Sequence, residues 1–529
     1  MIDTDIKRVS LFGREGIKVF AERPSSIKDF FKNTVSKHGN KDALYLDDDK
    51  ITYKEIDEKS DRLIASLQSK YGIKKGDRIA TLLGNSFEFA IIVMACVKSG
   101  TIMVPVNTKL RTPEVAFVLS NSRPKVLLCD QDLLPVVEDC KKNFQAAEPY
   151  TRSIVSIGEK TTDYDSLAGL LAEQNPLIDV EVNELDPAFI LYTSGTTGRP
   201  KGAVISHINV IHSVMHYQRA FKGDENVRSI LAVPFFHVTG LVARFLQSVY
   251  IGGSMLIIKK YQNEKYIKQS YDYKINVQSN VPTIYAMMAT SPLLEEYSFD
   301  FVKRVGFGGS PIYQHTLEML KRIFPNATLH NVYGATETTS PTTIMPDHYP
   351  MSKASSVGLP VETADIMVID TNDRELGPNQ EGELLIKGPM VIGGYWENPE
   401  ANKTSFVDGY WRSGDIAKID EDGFVYILDR KKDMINRGGE KIFSIEVEDV
   451  LKKHSDILEA AVVGVPDEIY GERVKAFVVS DSLNEQDQEA IRSYCAQHLA
   501  RFKIPEFYEF IDELPKNASG KVLKHQLRI

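Results

Sequence analysis

Compact apolar runs alternate with segments of helical periodicity over most of the chain. The runs DRIATLL at 77–83, IMVPV at 102–106 and KVLLCD at 125–130 have the length of buried strands. Between the first two, SFEFAIIVMACVKSG predicts a helix with Ser86 as its N-cap and Gly100 as its stop. Buried strands that alternate with helices are typical of mostly parallel sheets covered on both faces.

The pattern changes in the last part of the chain. Glycine-rich sequence such as DGYWRSGDIAKIDEDGFVYI predicts short antiparallel strands, and the charged run DRKKD follows it at 429–433. Beyond that run, SIEVEDVLKKH predicts a helix with Ser444 as N-cap, and AAVVGV and KAFVV predict strands. We therefore predict a large domain at 1–430 and a small α+β domain at 431–529, joined by a charged hinge.

Composition narrows the class of protein. The 529 residues are 43% hydrophobic and 26% charged, which is typical of a soluble multidomain protein. The net charge of −9 argues against nucleic acid as a partner, because nucleic-acid binders usually present a basic surface. The N-terminus lacks the apolar region of a signal peptide, and no apolar stretch has the length of a transmembrane segment. A cytoplasmic protein is expected.

The cysteines indicate no metal or disulfide framework. They show no CxxC or Cys/His spacing, and each stands in apolar or helical sequence: Cys96, Cys129, Cys140 and Cys495. Buried free thiols in a reducing compartment are the expected state.

The stretch YTSGTTGRPKG at 192–202 carries the clearest chemistry. Gly195 and Gly198 permit backbone shapes that turn successive N–H groups into one concavity. Four hydroxyl side chains add donors, those of Thr193, Ser194, Thr196 and Thr197. Lys201 adds a mobile positive charge, and the whole suits a polyphosphate. It is not a Walker A loop, which would need glycine at Pro200 and a hydroxyl residue at Gly202.

Further segments occur in one order along the chain. They are PFFHVTG at 234–240, GFGGSP at 306–311, NVYGATETT at 331–339, WRSGDIA at 411–417, LDRKKDMINRGGEKI at 428–442 and PKNASGKVLK at 515–524. Together with YTSGTTGRPKG, this series resembles the motifs of the adenylate-forming superfamily, which includes acyl-CoA and aryl-CoA synthetases, luciferases and adenylation domains of peptide synthetases. The resemblance implies a large α/β domain of two stacked αβαβα-type sheets with a small β-barrel-like subdomain, and a small mobile α+β C-terminal domain.

The resemblance also implies the nucleotide and metal contacts. Glu337 would bind Mg²⁺ together with Thr193, and Tyr333 offers a ring for the purine. The rest of the implied adenine site is Gly309, Ser310, Pro311, Asn331, Val332, Gly334 and Thr336. Asp415 would accept the ribose hydroxyls, with Arg430 as a second contact to the sugar or phosphate. Taken alone, Glu337 and Asp415 would read as a surface acid and a turn aspartate.

Three further elements are assigned by the resemblance. Lys521, in the tight turn ASGK, would bridge the substrate carboxylate and the α-phosphate, although a lone tail lysine is more often simply solvated. His237 would gate the passage between acid pocket and thiol channel, although a lone histidine in an apolar run is more often a core residue. Lys432 matches the pivot of the moving domain, and Gly438 and Gly439 lack side chains that would obstruct a pantetheine arm.

These residues predict an ATP-dependent carboxylic acid:CoA ligase. Its cosubstrates would be ATP and coenzyme A, and its metal cofactor would be Mg²⁺. Two alternatives share the acyl-AMP: a stand-alone adenylation protein that loads a carrier protein, and a luciferase-like oxygenase. The partners expected are a small carboxylic acid, ATP and CoA, and the sequence leaves a homodimer open.

The acid is predicted from the pocket motif. Phe235, Phe236 and His237 occupy the positions where amino-acid-activating relatives carry an aspartate, so an amino acid is disfavoured. Apolar residues dominate VTGLVARFL and VPTIYAMM, which favours a medium- or long-chain fatty acid, with an aryl acid next. Arg244 is the exception in this region. We expect its long side chain to reach solvent, the alternative being contact with a distal carboxylate.

Overall fold

The computed structural model places the predicted strands in two large sheets and two smaller ones. It describes residues 5–143, 153–158, 163–193, 200–309, 314–516 and 521–528. A two-stranded antiparallel ribbon, Ile6–Leu11 with Arg14–Phe20, precedes the sheets.

The first large sheet has seven strands. In spatial order they are Lys201–Ser206, Pro187–Thr193, Ile102–Val106, Arg78–Leu82, Val126–Asp130, Ser153–Ile157 and Asp165–Ser166. The two strands that flank the glycine-rich loop pair antiparallel, and the other neighbours are parallel. The apolar runs predicted to form parallel strands lie at the centre of this sheet, as expected for strands buried on both faces.

The second large sheet has nine strands. In spatial order they are Leu359–Pro360, Thr343–Ile344, Thr328–Tyr333, Arg304–Gly308, Val277–Asn280, Arg228–Leu231, Ser254–Ile257, Asp42–Leu46 and Asp49–Thr52. Its six central strands run parallel, and antiparallel strands close both edges.

A helical layer lies between the two large sheets. The helix Phe87–Ser99 is buried almost all round, because its side chains pack in one core with residues of both sheets. Phe89 of this helix stacks on Phe235 with ring centroids 4.8 Å apart. The predicted ends are confirmed: Ser86 accepts a hydrogen bond from the Phe89 N–H, and Gly100 ends the helix in the left-handed region.

The remaining helices cover the sheets and connect their strands. They are Ile27–His38, Tyr53–Tyr71, Thr112–Ser122, Leu134–Asn143, Leu167–Ala172, His207–Phe221, Val238–Gly240, Gln247–Ile251, Asn263–Asp272, Pro282–Ala289, Gln314–Ile323, Pro399–Ser405, Ser444–Lys452 and Gln488–His498. A π-helical turn, Leu241–Leu246, joins Val238–Gly240 to Gln247–Ile251 without a break. No helix within the described ranges combines the length and hydrophobicity needed to cross a membrane. The four cysteines are buried and free.

The third sheet is antiparallel and contains the residues of the WRSGDIA motif. Asp365–Ile369, Gly382–Lys387, Tyr410–Ile419 and Phe406–Val407 follow one another, and Val425–Arg430 also pairs with Tyr410–Ile419. These are the short strands that the glycine-rich sequence predicts.

The fourth sheet belongs to the C-terminal part. It orders Glu440–Ile442, Ile435–Arg437, Gly471–Val479 and Glu459–Asp467, with Phe507–Phe510 parallel to Gly471–Val479. The third sheet ends at Arg430 and the fourth begins at Ile435, which is where we expect the two domains to divide.

The capping role predicted for Ser444 is wrong. Ser444 is the first helical residue, and its hydroxyl donates to Asp429 Oδ2 at 2.7 Å instead of accepting from the helix. The Ser444 N–H donates to the same carboxylate oxygen at 2.5 Å. Asp429 therefore satisfies this helix start from a strand of the third sheet, a contact that local sequence does not reveal.

Candidate active site

The glycine-rich loop is held by an antiparallel hairpin. Thr193 and Lys201 are paired residues at the ends of its two strands, and Thr193 Oγ1 lies 3.4 Å from the Lys201 carbonyl oxygen. Five predicted phosphate-binding residues fall outside the described residues: Ser194, Gly195, Thr196, Thr197 and Gly198. The described ends of the loop therefore fix where it starts and returns.

The structure brings the two predicted metal ligands together. Glu337 lies in the short 3₁₀ helix Thr336–Thr338, and its Oε1 accepts a hydrogen bond from the Thr193 hydroxyl at 3.4 Å. The two residues are far apart in sequence. Thr193 ends a strand of the first large sheet, and Glu337 follows the strand Thr328–Tyr333 of the second. A carboxylate and a hydroxyl are oxygen ligands of the kind Mg²⁺ prefers, and Mg²⁺ typically takes only one or two protein carboxylates. This pair therefore fits the cation.

Tyr395 is a residue of this site that the motif comparison missed. Its hydroxyl donates to Glu337 Oε1 at 3.1 Å and accepts from Trp411 Nε1 at 3.3 Å. Its ring centroid lies 5.2 Å from the Lys201 ammonium nitrogen. Burial, and then the Glu337 carboxylate, raise the pKa of Tyr395, so the phenol stays a hydrogen-bond donor.

Backbone hydrogen bonds fix Tyr395 beside the hairpin. The Val204 N–H donates to the Gly394 carbonyl at 3.1 Å, and the Trp396 N–H donates to the Gly202 carbonyl at 2.7 Å. The segment is the sequence GGYW at 393–396, an aromatic pair directly after two glycines.

A second cluster surrounds Asp415. Arg430 stands opposite it on the neighbouring strand, with Arg430 Nε 2.7 Å from Asp415 Oδ1. The Tyr333 hydroxyl donates to the other oxygen at 2.5 Å. Burial is the largest single influence on Arg430 and lowers its pKa, but the Asp415 carboxylate together with Tyr333, Glu337 and Asp433 outweighs burial, so the pKa of Arg430 is raised. Burial and the same carboxylate raise the pKa of Tyr333. Each carboxylate oxygen can still accept a further hydrogen bond.

Lys521 of the C-terminal part faces this cluster. The charge of Arg430 lowers the pKa of the Lys521 ammonium to about 8, with a smaller effect of lost hydration. Asp415, Asp433 and Lys432 also act on its charge. Although Lys521 as a residue is exposed, its ammonium is therefore within electrostatic reach of the predicted sugar contacts.

The predicted adenine motifs lie at one edge of the second sheet. Gly308 and Val332 are partners on adjacent parallel strands, so Gly309 and Tyr333 follow each other at the same carboxyl edge. Ligands of open α/β sheets typically bind at such an edge. The Asn331 amide donates to the Ser356 carbonyl at 3.0 Å, which secures the strand. Gly334 and Thr336 continue the chain to Glu337, and Ser310 and Pro311 lie outside the described residues.

His237 is not joined to these groups. It caps the helix Val238–Gly240, and its ring packs against Phe236 with centroids 4.8 Å apart. Burial lowers the pKa of His237 to about 4, and its Nε2 has no hydrogen-bond partner within the part of the chain that the structure describes. A gating role for His237 stays a prediction.

The two glycines of the predicted thiol channel form a hairpin turn. Gly438 and Gly439 have φ of +60° and +95° and connect the strands Ile435–Arg437 and Glu440–Ile442. Positive φ at both turn residues is the requirement of a type I′ hairpin, so the backbone itself demands glycine here. Lys432 is exposed in the turn that precedes this hairpin. The pantetheine path and the pivot stay predictions.

The expectation that Arg244 reaches solvent is wrong. Arg244 lies in the π-helical turn Leu241–Leu246 and is only 3% exposed. Its guanidinium carbon is 5.4 Å from the ring centroid of Tyr217. All six residues of this turn are buried, so the segment has no solvent-facing side along which the Arg244 side chain could extend.

Comparison with known families identifies two matching regions. A family described as AMP-binding enzyme matches residues 31–396, and one described as AMP-binding enzyme C-terminal domain matches residues 446–521.

Individual relatives match over nearly the whole chain. A 2-succinylbenzoate–CoA ligase of Bacillus licheniformis is 34% identical over 92% of this chain and 96% of its own length. The fatty acid–[acyl-carrier-protein] ligase ScoC of Streptomyces coeruleorubidus is 34% identical over 90% of this chain and 91% of its own. The solved o-succinylbenzoate–CoA synthetase MenE of Bacillus subtilis, in complex with ATP and magnesium, superposes with a TM-score of 0.82 at 29% identity, covering 94% and 98% of the two chains.

Proposed function

The chain belongs to the AMP-binding enzyme family of the adenylate-forming superfamily, and from that membership we infer that it is an AMP-forming carboxylic acid:CoA ligase. The observation that supports this most strongly is that Glu337 and Thr193 meet at the mouth of the glycine-rich hairpin. In this proposal, Glu337 and Thr193 hold Mg²⁺ beside the loop that binds the phosphates. The cluster of Asp415, Arg430 and Lys521 supplies contacts for the sugar and the α-phosphate.

The proposed first step activates the acid. The substrate carboxylate attacks the α-phosphorus of ATP, the bond from that phosphorus to the bridging oxygen breaks, and pyrophosphate leaves. Lys201 and the hairpin hold the polyphosphate, Tyr333 and Asp415 orient the nucleoside, and Lys521 stabilises charge shared by carboxylate and α-phosphate. Bound Mg²⁺ would neutralise phosphate charge at Glu337 and Thr193. Positioning and electrostatics supply most of the catalysis in phosphoryl transfer, and this arrangement provides both.

The proposed second step transfers the acyl group. The CoA thiol loses its proton to solvent, its sulfur attacks the acyl carbon, and AMP leaves with the anhydride oxygen. We propose that the C-terminal domain rotates at Lys432, which removes Lys521 and brings the Gly438–Gly439 turn to the site. A carrier-protein phosphopantetheine is the second candidate acceptor, favoured by the similarity to ScoC, which is named for that acceptor.

Tyr395 is expected to hold the metal ligand in place. In Tyr395→Phe, Glu337 Oε1 loses a hydrogen bond of 3.1 Å, so its carboxylate is less well oriented. We expect the Mg²⁺ concentration for half-maximal ATP binding to rise about tenfold, as is typical when a residue that orients a ligand is removed. Fluorescent ATP-analogue binding titrated with Mg²⁺ measures this without catalysis. Tyr426→Phe, which removes a hydroxyl bonded to Asp420 on a surface turn, is the matched control. Unchanged Mg²⁺ dependence in Tyr395→Phe would contradict the assignment.

The acid is proposed to have an apolar body. Phe236, Val238 and Leu241, which stand close to His237 in sequence, are buried apolar residues, and the Phe236 ring packs against His237. A fatty acid and an aryl acid both fit this description, and the relatives named above include ligases of each kind.

Pyrophosphate exchange tests the proposed activity. The purified chain is incubated with labelled pyrophosphate, ATP, Mg²⁺ and a panel of fatty, aryl and dicarboxylic acids. We expect at least one acid to drive label into ATP, followed by thioester formation when CoA is added. If no acid supports exchange while ATP and Mg²⁺ bind, the proposed function is wrong. Exchange without thioester formation from CoA would assign the chain to carrier-protein loading.

A further inference from the structure

Arg244 is a buried cation without a buried anion. It is 3% exposed, and no acidic side chain of the described residues forms an ion pair with it. Its Nε is buried and has no hydrogen-bond acceptor among those residues. Burying a charge without a partner is costly, so a residue of this kind needs a reason to be retained.

Other partly buried arginines of the protein are neutralised by a carboxylate of the chain. Arg23, Arg304, Arg412 and Arg437, whose side chains are 14–22% exposed, each form an ion pair with a carboxylate: Glu184, Asp347, Glu383 and Glu506 respectively. Arg244 is more deeply buried than any of these four and lacks such a partner within the described part of the chain. A bound ligand is therefore the best candidate for the anion that pairs with Arg244.

Two tyrosine side chains next to Arg244 connect it to segments that carry predicted site residues. Its guanidinium forms a hydrogen bond with the neutral Tyr217 phenol, and its charge interacts with the phenols of Tyr217 and Tyr285, but none of these groups is a carboxylate. The Tyr217 hydroxyl is 2.8 Å from Ser340 Oγ, and Ser340 stands three residues after Glu337. The Tyr285 hydroxyl donates to the Gly306 carbonyl at 2.9 Å, on the strand that leads to the adenine motif. Arg244 is thus connected through Tyr217 to Ser340, which follows the predicted metal ligand Glu337 in the chain.

The same region has unused hydrogen-bonding capacity. Asn280 Oδ1 and Gln278 Nε2 are buried without partners among the described residues, on the strand that precedes the helix of Tyr285. Tyr266 joins their other amide atoms, because it donates to Gln278 Oε1 and accepts from Asn280 Nδ2. Of these two atoms, a ligand carboxylate could pair only with the Gln278 Nε2 donor, because an ionised carboxylate accepts hydrogen bonds and does not donate them.

We propose that Arg244 binds a second carboxylate, at the far end of the acid that this enzyme activates. The substrate class is then a dicarboxylic acid, with one carboxylate at the α-phosphate, an apolar body, and a distal carboxylate at the guanidinium. This proposal rests on the proposed function and narrows it. The planar guanidinium of Arg244 is suited to two parallel hydrogen bonds with a carboxylate. The substrate carboxylate would neutralise the buried charge of Arg244 only while the substrate is bound.

Matched acids and variants test the proposal. Pyrophosphate exchange is measured for hexanoate against hexanedioate, dodecanoate against dodecanedioate, and 3-phenylpropanoate against its ring-carboxylated analogue. We expect wild type to prefer a diacid of one pair. Arg244→Met should lower kcat/KM for that diacid by about 10²-fold, the effect typical of losing a buried charged contact. Its kcat/KM for the monoacid should stay the same or rise.

Two controls separate charge recognition from folding. Arg219 lies in the neighbouring helix His207–Phe221 and forms an ion pair with Glu362. Arg219→Met should leave the preference for diacid over monoacid unchanged. If Arg244→Met does not fold, thermal shifts of wild type with each acid pair and ATP replace it, and only the diacid should stabilise.

The outcomes distinguish this inference from the proposed function. If wild type activates monoacids and rejects every diacid, or if Arg244→Met loses activity on both members of a pair alike, Arg244 is structural and the inference is wrong, while the ligase assignment stands. If no acid of either class supports exchange, the ligase assignment itself fails.

Discussion

Replacing Lys521 by alanine is expected to slow acyl-adenylate formation by about 10²–10³-fold, the typical cost of removing one preorganised donor from a developing charge. The ammonium interacts with the charges of Arg430 and Asp415, where the α-phosphate would lie next to the ribose contacts. Transfer of the acyl group from supplied acyl-AMP to CoA should keep most of its rate, because we expect Lys521 to leave the site before that step. The two half-reactions are measured separately, by pyrophosphate exchange and by thioester release.

Lys516 provides the matched control for this prediction. It lies five residues before Lys521 in the same C-terminal segment, and its ammonium forms an ion pair with Glu459 at 2.5 Å. Lys516→Ala should therefore leave both half-reactions nearly unchanged. Equal loss of both half-reactions in Lys521→Ala would show that the lysine serves both steps and would contradict the division of labour between two domain positions.

The pH dependence of adenylation should also show that the Lys521 ammonium is required. The protonated ammonium is the active form, and the pKa of Lys521 is lowered to about 8, chiefly by the charge of Arg430. As the pH rises through that value, the free enzyme loses the cation, so kcat/KM for adenylation should fall above about pH 8. Wild type should show this alkaline limb, and Lys521→Ala should lack it.

Acidification from pH 7 to pH 5 is expected to lower the free energy of unfolding by about 4 kcal/mol through two histidines alone. His207 and His212 lie in the helix His207–Phe221, and burial lowers the pKa of each to about 3. His207 Nδ1 accepts a hydrogen bond from the Ile27 N–H at 3.1 Å, and His212 Nε2 accepts one from the Phe20 N–H at 3.2 Å. Protonation would break both bonds and place a charge in the interior.

The sign follows from proton binding. In the unfolded chain these imidazoles titrate near their usual pKa of about 6.5, whereas in the folded protein they stay neutral down to about pH 3. Below about pH 6.5 the unfolded state therefore binds more protons, and stability decreases as the pH falls. Each histidine contributes about 1.4 kcal/mol per pH unit in this window. The charges of Asp186 and Lys75 on His207, and of Arg23 on His212, are secondary to burial.

Urea unfolding at pH 7, 6 and 5 measures the effect. His212→Gln keeps a polar side chain that does not titrate, so its unfolding midpoint should depend on pH less steeply than that of wild type. His348→Gln, at an exposed position, is the control and should retain the full dependence. An equal midpoint for wild type at pH 7 and pH 5 would mean that these imidazoles are not buried neutral.

Local sequence was sufficient wherever a short-range rule decides the backbone. Ser86 and Gly100 predicted both ends of the helix Phe87–Ser99, because a side-chain cap and a left-handed glycine act within a few residues. The alternation of apolar runs with helical segments predicted mostly parallel sheets, since each strand must bury both faces. The ordered series of motifs indicated the superfamily, which the family matches confirm.

Contacts between distant segments were decided by the tertiary structure. Tyr395 reaches Glu337 only because strand pairing brings the GGYW segment onto the hairpin, and Asp429 takes over the helix start at Ser444 in the same way. The residues next to Tyr395 and Ser444 do not predict which distant carboxylate each of them contacts. Burial of Arg244 depends likewise on how a π-helical turn is oriented between helices.

The sequence by itself determined the elements, their order and the chemical groups available for nucleotide and acid. Hydrophobic periodicity, caps and turn residues act over a few residues and can be recognised in any chain that contains them. Only the tertiary structure decided which oxygen atoms meet at Glu337, which charges act on Lys521, and that Arg244 is buried without a carboxylate among the described residues. Those outcomes depend on packing among segments that are distant in sequence, where all neighbours together set burial and charge.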